Sequence, residues 1–262
     1  MKVVIFCGGM GIRMGEATQR IPKPMIQIGG RPILWHIMKY YASWGHNDFV
    51  LCLGYKAEAI KEFFLTYNEA LANDFVLSAG GTGVHLLRTD IDEWTITFVD
   101  TGMQATIGER LKAVESFLAE DEIFLATYGD GLTDAPLDDM VNRFTRQEST
   151  AMFIQVRPTA NMHVVDTDED GIVRDLRDIT ESQVFINGGF FVLRRGIFDE
   201  IEPGDELVDA PFRRLIEQRR LSAYRYDGFW APMDTLKDKQ RLETLWESGR
   251  APWRMDAVSV PR

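Results

Sequence analysis

A glycine-rich segment and two basic side chains follow the first apolar run of the chain. The segment is Gly8–Gly15, and Lys23 stands between two prolines a few positions later. Glycines allow positive φ angles and let backbone N–H groups approach phosphate oxygens closely. Arg13 offers a planar fork suited to phosphate, and Lys23 a compact charge on backbone that the prolines hold extended. The pattern predicts a phosphate-binding loop that uses Gly8, Gly9, Gly11, Arg13 and Lys23. The alternative is a glycine-rich turn beside a solvated lysine.

Two other known types of phosphate-binding loop, the dinucleotide-binding turn and the P-loop, match this segment less well. The glycine spacing in Gly9–Gly15 is similar to a dinucleotide-binding turn, but that turn enters a helix at once and needs an acidic residue after the second strand. Here prolines interrupt the segment, and Gly54–Lys56 follows the second strand. A P-loop needs Gly-Lys-Ser/Thr after four spacer residues, and that sequence is missing. An NAD(P)-dependent oxidoreductase is therefore disfavoured.

Two aspartates stand where a cation site is expected. Asp130 follows an apolar run and lies between Gly129 and Gly131, and Asp234 follows the stretch FWAPM. Mg²⁺ prefers one or two carboxylates together with phosphate oxygens and water. Asp130 and Asp234 are therefore candidate Mg²⁺ ligands. Each has an alternative explanation as a turn residue that caps a helix.

The histidines are scattered, and none forms a pair at metal-binding spacing, so a zinc site is not expected. They are His36, His46, His85 and His163. The chain also lacks the Gly-x-Ser-x-Gly elbow of a hydrolase. Aromatic and methionine side chains in the segment 32–44 recur at helical spacing. We expect them in the core rather than in a cofactor site.

Strand and helix patterns alternate through the first 150 residues. Strands are expected at Lys2–Cys7, Asp48–Leu53, Trp94–Asp100 and Ile123–Tyr128, and helices at Pro32–Trp44, Ala57–Thr66, Ile107–Leu118 and Pro136–Glu148. This alternation predicts an α/β fold with a mainly parallel, Rossmann-like sheet and helices on both faces. Ligands bind such sheets outside the carboxyl ends of the strands, where the glycines and Asp130 lie.

The pattern changes after about residue 150. Strands are expected at Ala151–Arg157, His163–Thr167, Gly171–Leu176 and Phe185–Leu193, and helices at Gly196–Ile201, Pro211–Gln218 and Leu236–Ser248. We expect one domain, 1–262, in which a nucleotide-binding half (about 1–150) and a β-rich half (about 151–262) share one sheet.

Composition and charge exclude several classes of protein. The 262 residues are 45% apolar and carry a net charge of −11 without a Lys/Arg-rich run, so a nucleic-acid partner is not expected. The sequence contains no apolar stretch of about 18 residues, and its N-terminus lacks the pattern of a signal peptide. We therefore expect no membrane partner and a cytoplasmic location. Cys7 and Cys52 lie in apolar runs and are expected to be buried, reduced thiols.

Long stretches of the chain resemble one family. They are Pro22–Met38 (PKPMIQIGGRPILWHIM), Val99–Gly102 (VDTG), Arg110–Lys112, Thr127–Gly131 (TYGDG), Ile186–Leu193 (INGGFFVL), Phe229–Lys239 (FWAPMDTLKDK) and Leu245–Trp253 (LWESGRAPW). Together with the double-glycine loop they are similar to the sugar-nucleotide pyrophosphorylases, and in particular to the cytidylyltransferases among them. The resemblance implies an enzyme in which an acceptor's phosphate oxygen attacks the α-phosphorus of CTP and pyrophosphate leaves.

The resemblance also implies roles for individual residues. Lys23 would stabilise the α-phosphate, Arg13 would hold the β- and γ-phosphates, and Asp130 and Asp234 would hold Mg²⁺ as the cofactor. The nucleotide would be framed by Gly8, Gly9, Gly11, Gly129 and Arg110. Because the relatives form closed oligomers, a homo-oligomer is expected.

The acceptor side departs from the family. The lysine that binds the sugar phosphate in the relatives' Glu-Lys-Pro is Ile179 here, and Asn161-Met162-His163 replaces their Arg-Phe-Gly. In the loop, Ile12 replaces a threonine. An isoleucine cannot neutralise a phosphate, so we expect a phosphorylated small-molecule acceptor that need not be a glucose phosphate. Its candidate ligands are His163, Arg174, Arg177, Asn187 and Gly188. The alternative is a non-catalytic, regulatory nucleotide-binding protein of the same fold.

Overall fold

The computed structural model describes residues 1–9, 21–159 and 162–254 of the chain. Its strands in chain order are β1 (Lys2–Phe6), β2 (Gln27–Ile28), β3 (Arg31–Pro32), β4 (Asp48–Leu53), β5 (Phe75–Ser78), β6 (Gly83–Leu86), β7 (Thr95–Asp100), β8 (Ile123–Tyr128), β9 (Gly131–Thr133), β10 (Ala151–Val156), β11 (His163–Thr167), β12 (Val173–Asp178), β13 (Ile186–Arg194), β14 (Leu221–Arg225) and β15 (Trp230–Pro232). Its α-helices are α1 (Ile33–Ser43), α2 (Ala57–Leu65), α3 (Glu69–Ala72), α4 (Ile107–Ala113), α5 (Leu137–Thr145), α6 (Ala210–Glu217) and α7 (Leu236–Glu247). Short 3-10 helices occur at Lys23–Met25, Ala79–Gly81, Glu115–Leu118, Ile179–Glu181 and Arg195–Glu200.

A seven-stranded sheet in the order β14-β10-β13-β8-β1-β4-β7 forms the centre of the described structure. β1 runs parallel to β4 and β8, β4 to β7, and β10 to β14. β13 runs antiparallel to both of its neighbours, β8 and β10. The predicted α/β fold with a mainly parallel sheet is therefore confirmed. Strands from before and after residue 150 lie in this one sheet.

Apolar side chains cover both faces of the sheet. In β1, Val3 and Ile5 belong to one core, and Val4 and Phe6 to the other. The first core includes residues of α1, α2, α5 and α7, and the second includes residues of α4 and α6. The central strands are thus buried on both sides, which explains why β1 and β4 are continuous apolar runs rather than alternating ones.

Most expected helices and strands begin and end within three residues of those in the structure. The expected helix Ile107–Leu118 is divided, because the amide of Val114 donates to Leu111 O (3.2 Å) and the chain continues as a 3-10 turn. The expected helix Gly196–Ile201 is likewise a 3-10 helix. Cys7 and Cys52 are buried, free thiols, as predicted.

The sequence patterns do not predict several short pairs of strands. The hairpin β5–β6, the ribbon β9–β15 and the pair β2–β3 have strands of two to four residues, too short to show a period of two. The helices of the described ranges are all too short or too polar to cross a bilayer.

Candidate active site

Lys23 opens a 3-10 turn that its neighbouring prolines stiffen. The turn spans Lys23–Met25, and the amide of Met25 donates to Pro22 O at 2.9 Å. The rings of Pro22 and Pro24 fix φ on both sides of the lysine, so its backbone has little freedom. Lys23 is buried, with 8% of its surface exposed. The sequence therefore holds a buried ammonium group in a fixed position.

Asp130 reaches the same position from the carboxyl end of β8. Gly129 connects it to the strand, and the amide of Gly129 donates to Phe6 O at 3.1 Å. A methyl group on Gly129 would lie 3.0 Å from that carbonyl oxygen and 3.1 Å from Pro24 Cγ. Only glycine fits there without displacement, and this close approach brings the Lys23 turn against the end of β8.

Asp234 is brought in by the ribbon β9–β15. Gly131 pairs with Pro232, and the amide of Met233 donates to Asp130 O at 2.8 Å. The two aspartates therefore flank the same end of one antiparallel ribbon. Helix α7 is capped by Thr235 in a reciprocal capping box with Asp238, so the Asp234 carboxylate is not used as the cap.

The two carboxylates share the ammonium group of Lys23. Lys23 Nζ lies 2.6 Å from Asp130 Oδ2 and 2.7 Å from Asp234 Oδ1. Burial by itself would lower the pKa of Lys23, but its charge and hydrogen-bond interactions with Asp130 and Asp234 outweigh that effect and raise the pKa. The lysine is therefore cationic at neutral pH, and its charge is available to a phosphate.

The donor set of this cluster suits Mg²⁺. Asp130 and Asp234 supply carboxylate oxygens at one place, and about a third of each side chain is exposed. No group of three or more His, Cys, Asp or Glu side chains that could hold a metal occurs within residues 1–9, 21–159 and 162–254. Mg²⁺ needs only one or two carboxylates when phosphate oxygens and water complete its octahedron. The pair fits a cation that arrives with a nucleotide.

A cavity of about 470 Å³ opens beside the cluster. Asp130, Asp234, Asn187 and Gly188 all line it, so the structure brings these four predicted site residues together. The side-chain oxygen of Asn187 accepts a hydrogen bond from the amide of Gly189 at 2.9 Å. The NH₂ group of Asn187 has no partner in the described part of the chain and is left as a donor for a ligand.

Arg110 connects the loops that follow three parallel strands. Its guanidinium donates to Leu53 O (3.1 Å), Thr101 Oγ1 (2.8 Å) and Gly8 O (3.3 Å), at the ends of β4, β7 and β1. Arg110 is 3% exposed, and this burial, the largest influence, lowers its pKa. Arg110 therefore positions the backbone at the edge of the sheet where the phosphate loop begins.

Gly8 is required by this arrangement, whereas Gly9 is not. A methyl group on Gly8 would overlap the guanidinium of Arg110, while one on Gly9 meets no atom of residues 1–9, 21–159 or 162–254 within 4 Å. The remaining loop candidates, Gly11 and Arg13, lie outside the described residues, as does Ile12.

Family comparison agrees with this geometry. A model of the nucleotidyl transferase family matches residues 2–235, a range that includes Lys23, Asp130 and Asp234. The chain belongs to the nucleotidyl transferase family. The resemblance seen in the sequence motifs is thereby confirmed.

Individual relatives are similar over nearly the whole chain. The transferase is 40% identical over 257 residues to glucose-1-phosphate cytidylyltransferase of Salmonella typhi, covering 97% of this chain and 99% of the relative. It is 38% identical to a probable glucose-1-phosphate cytidylyltransferase of Bacillus subtilis, covering 97% and 100%. A solved structure of UDP-glucose pyrophosphorylase with UDP-glucose superposes with a TM-score of 0.70 at 17% identity, covering 95% of this chain and 99% of that one. At that identity the structural likeness shows the fold alone.

Three predicted acceptor ligands of this transferase lie apart from the cavity. His163 is on β11, and Arg174 and Arg177 are on β12, in a hairpin whose residues do not line the 470 Å³ cavity. Arg174 pairs with Asp168 (3.3 Å) and Arg177 with Asp175 (2.9 Å). Both arginines already have carboxylate partners within the hairpin.

Sequence motifs alone do not single out Trp230 and Thr159, which line the cavity. Trp230 Nε1 donates to Gly188 O at 2.8 Å and so fixes the start of β13. Because Trp230 lies in the stretch FWAPMDT, which resembles the family, its place in the cavity could have been inferred from that stretch. Thr159 has no comparable motif, and only its place after β10 in the folded chain identifies it.

Proposed function

We propose that this transferase moves CMP from CTP to a phosphorylated small-molecule acceptor and releases pyrophosphate. The observation that carries the proposal is the contact of buried, cationic Lys23 with both Asp130 and Asp234 at the mouth of a cavity. The choice of CTP rests on the names of the relatives that are 38–40% identical. An oxygen of the acceptor phosphate attacks the α-phosphorus, and the bond from that phosphorus to the pyrophosphate oxygen breaks.

Lys23 neutralises charge on the α-phosphate in this proposal. Its ammonium group lies at the carboxyl ends of β1 and β8, where ligands bind parallel sheets. A preorganised charge in a partly buried place stabilises a transition state more than the same charge in water does. To reach the phosphate, Lys23 exchanges at least one carboxylate for a phosphate oxygen.

We propose Mg²⁺ as the cofactor, held by Asp130 and Asp234. When bound it supplies positive charge to phosphate oxygens and orients them for in-line attack. The carboxylates themselves bind and orient, and their shared ribbon keeps them at one end of the cavity. The Gly8 and Gly9 backbone, Gly11 and Arg13 hold the triphosphate, and Gly129 and Arg110 shape the surface against which it lies.

Asn187 and Gly188 are proposed to bind the acceptor. Both line the cavity that contains Asp130 and Asp234, and the free NH₂ group of Asn187 offers a hydrogen bond to a hydroxyl or phosphate oxygen. Ile179 supplies no charge, so the acceptor need not be the glucose phosphate that the relatives' names contain. His163, Arg174 and Arg177 remain candidates if the hairpin β11–β12 moves towards the cavity.

Pyrophosphate release tests the function directly. The protein is mixed with each nucleoside triphosphate, with and without Mg²⁺, across a panel of sugar phosphates and other phosphorylated acceptors. We expect release with CTP and Mg²⁺ only when an acceptor is present. CTP binding in calorimetry without turnover on any acceptor would instead support a regulatory, nucleotide-binding protein.

We propose that the protein is a homo-oligomer. Large apolar side chains are exposed on α3, on the hairpin β5–β6 and directly after it, namely Leu71, Phe75, Val76, Leu77, Val84 and Leu87. An apolar patch of this kind is typical of an interface between proteins. Light scattering is expected to give a multiple of the monomer mass, and Leu77→Asp to reduce it, whereas Leu65→Asp, at the end of α2, does not. A monomer at high concentration contradicts the proposal.

The cytoplasm is the proposed location, since Cys7 and Cys52 are free thiols and reducing compartments keep thiols in that form. Fractionation of source cells tests it, and recovery of the protein outside the cytoplasmic fraction contradicts it.

A further inference from the structure

A second cavity adjoins the one that contains the Lys23–Asp130–Asp234 cluster. It has a volume of about 260 Å³, and Pro158, Thr159 and Trp230 line both cavities. We call it the side cavity. Asp130, Asp234 and Asn187 line only the first cavity, so the two spaces differ in chemistry although they share a wall. A ligand whose reacting phosphate lies near Asp130 and Asp234 can extend past Trp230 into the side cavity.

The side cavity is lined by two arginines, Arg157 and Arg241. Arg157 is held rigidly: Nη1 donates to Ser182 O (2.9 Å) and Thr180 O (3.3 Å), and Nε donates to Asp227 Oδ1 (3.2 Å). Of its two backbone partners, Thr180 lies within the 3-10 turn Ile179–Glu181 and Ser182 directly follows it. A fixed positive charge therefore lies beside the turn in which this chain lacks the relatives' lysine.

Arg241 extends into the side cavity from α7. It is exposed, and no hydrogen bond or ion pair joins it to any residue that the structure describes. The acidic side chain on the same wall, Asp227, already accepts hydrogen bonds from Arg157 and from Arg225 (3.2 Å). The charge of Asp227 is thus matched by those two arginines, and no carboxylate of the described residues pairs with Arg241.

Positive charge concentrated at this place is informative because the whole chain carries a net charge of −11. In an acidic protein, a local basic site favours an anion against the overall field. Neither Asp130 nor Asp234 lines the side cavity, so an anion bound there is a different group from the reacting phosphate.

We propose that the acceptor carries a second anionic group, a carboxylate or a phosphate, at the end remote from its reacting phosphate, and that Arg241 with Arg157 binds this group in the side cavity. The inference rests on the proposed function, because it requires the reacting phosphate to lie at Asp130 and Asp234. Arg241 is a specificity-determining residue, and it acts on acceptor binding rather than on the α-phosphorus of CTP.

The test compares matched acceptors with the full-length protein. Three sets of hexose 1-phosphates, each in several sugar configurations, differ at the far end: a neutral hydroxymethyl group, a carboxylate and a second phosphate. We expect kcat/KM to be higher for an anionic set than for the neutral one by about tenfold or more, as a charge-assisted hydrogen bond provides. The comparison between carboxylate and phosphate identifies the anion.

Arg241→Gln is expected to reduce that preference by about tenfold, through KM for the acceptor, while KM for CTP stays unchanged. Arg241→Lys should retain part of the preference, since it keeps the charge but loses the planar fork. Arg213→Gln is the matched control, because it removes one exposed positive charge on α6 without touching either cavity. Its melting temperature and that of Arg241→Gln are compared to exclude a folding defect.

The outcomes separate the two proposals. Turnover of CTP that favours neutral acceptors, or an anionic preference that Arg241→Gln leaves intact, overturns this inference and leaves the proposed function standing. Absence of turnover with every acceptor, both in these three sets and in the wider panel of sugar phosphates and other phosphorylated acceptors, overturns both.

Discussion

Pro232 lies opposite Gly131 in the register of the ribbon β9–β15, and this pairing places Asp130 and Asp234 at the same end of the ribbon. The backbone bond from Met233 to Asp130 O continues the pairing one step further. Two carboxylates that are 104 positions apart in sequence thus meet on the ammonium group of Lys23, whose turn is separately fixed by prolines. The chemistry of the site depends on this meeting of three chain segments.

Replacement of Lys23 by methionine is expected to lower kcat by about 10²- to 10³-fold, the usual effect of removing one preorganised charge from a transition state. Methionine keeps the apolar stem and removes the ammonium group. Pyrophosphate release at saturating CTP and acceptor measures the change. Lys39→Met is the control, since Lys39 pairs with Asp90 away from the site. Unchanged kcat in Lys23→Met would remove the lysine from the proposed chemistry.

Asp130→Asn and Asp234→Asn are each expected to lower kcat/KM by at least about 100-fold and to raise the Mg²⁺ concentration needed for half-maximal rate, because a neutral amide is a weaker ligand for a hard cation. The measurement is a Mg²⁺ titration of pyrophosphate release. Asp209→Asn removes an exposed carboxylate that pairs with Arg213 and serves as the control. A variant that keeps its rate and its Mg²⁺ dependence would show that its carboxylate holds no cation.

Alanine substitutions at two adjacent glycines should differ in their effect on stability. Gly8→Ala pushes a methyl group into the anchored guanidinium of Arg110 and is expected to lower the free energy of unfolding by about 1–3 kcal/mol. Gly9→Ala meets no described atom within 4 Å and should change it by less than about 0.5 kcal/mol. Urea denaturation of the ligand-free proteins compares the pair. Equal effects at the two positions would contradict the assigned packing of Arg110.

The free energy of unfolding should decrease as the pH falls below about 6.5, and His36 should cause part of that decrease. Its Nε2 lies 2.9 Å from Ile28 O, and Nδ1 accepts from the indole N–H of Trp253 at 3.4 Å. A carbonyl only accepts and an indole only donates, so the ring is neutral with its proton on Nε2. Burial, the largest influence, lowers the pKa of His36 from 6.5 to about 4.

The unfolded chain therefore binds a proton at a higher pH than the native protein does, and this contribution to stability is lost as pH falls from 6.5 towards 4. We expect His36→Gln to remove about 2 kcal/mol of the decrease in unfolding free energy between neutral pH and about pH 5. Urea denaturation at several pH values measures it, with His85→Gln, on the exposed hairpin, as the control. The same pH dependence in His36→Gln and in the unaltered protein would exclude this role.

Local patterns in the sequence predict six of the seven central strands and most helices, because those strands are long enough, and apolar enough, to be recognised one at a time. The edge strand β14 is not predicted, since its residues LSAYR are mostly polar or small and only partly buried. The Lys23, Asp130 and Asp234 candidates also follow from prolines, glycines and carboxylates that stand next to apolar runs. Their mutual contact does not follow, because it is made by three-residue strands that show no period. The side cavity likewise cannot be predicted from the sequence, because Arg157 and Arg241 are 84 positions apart and belong to no common motif.

The order of strands in the sheet has a consequence for how such proteins diversify. β13 and β10, from the later half, lie against β8, from the earlier half, so a chain cut near residue 150 would expose the hydrogen-bonding edge of β8. The proposed triphosphate loop and the cavity beside Asp130 and Asp234 are therefore built on one shared sheet, and residues from both halves line that cavity. If the proposed function holds, a change of acceptor would come from point substitutions around this shared sheet, at positions such as Ile179 and Arg241 that lie outside both cores.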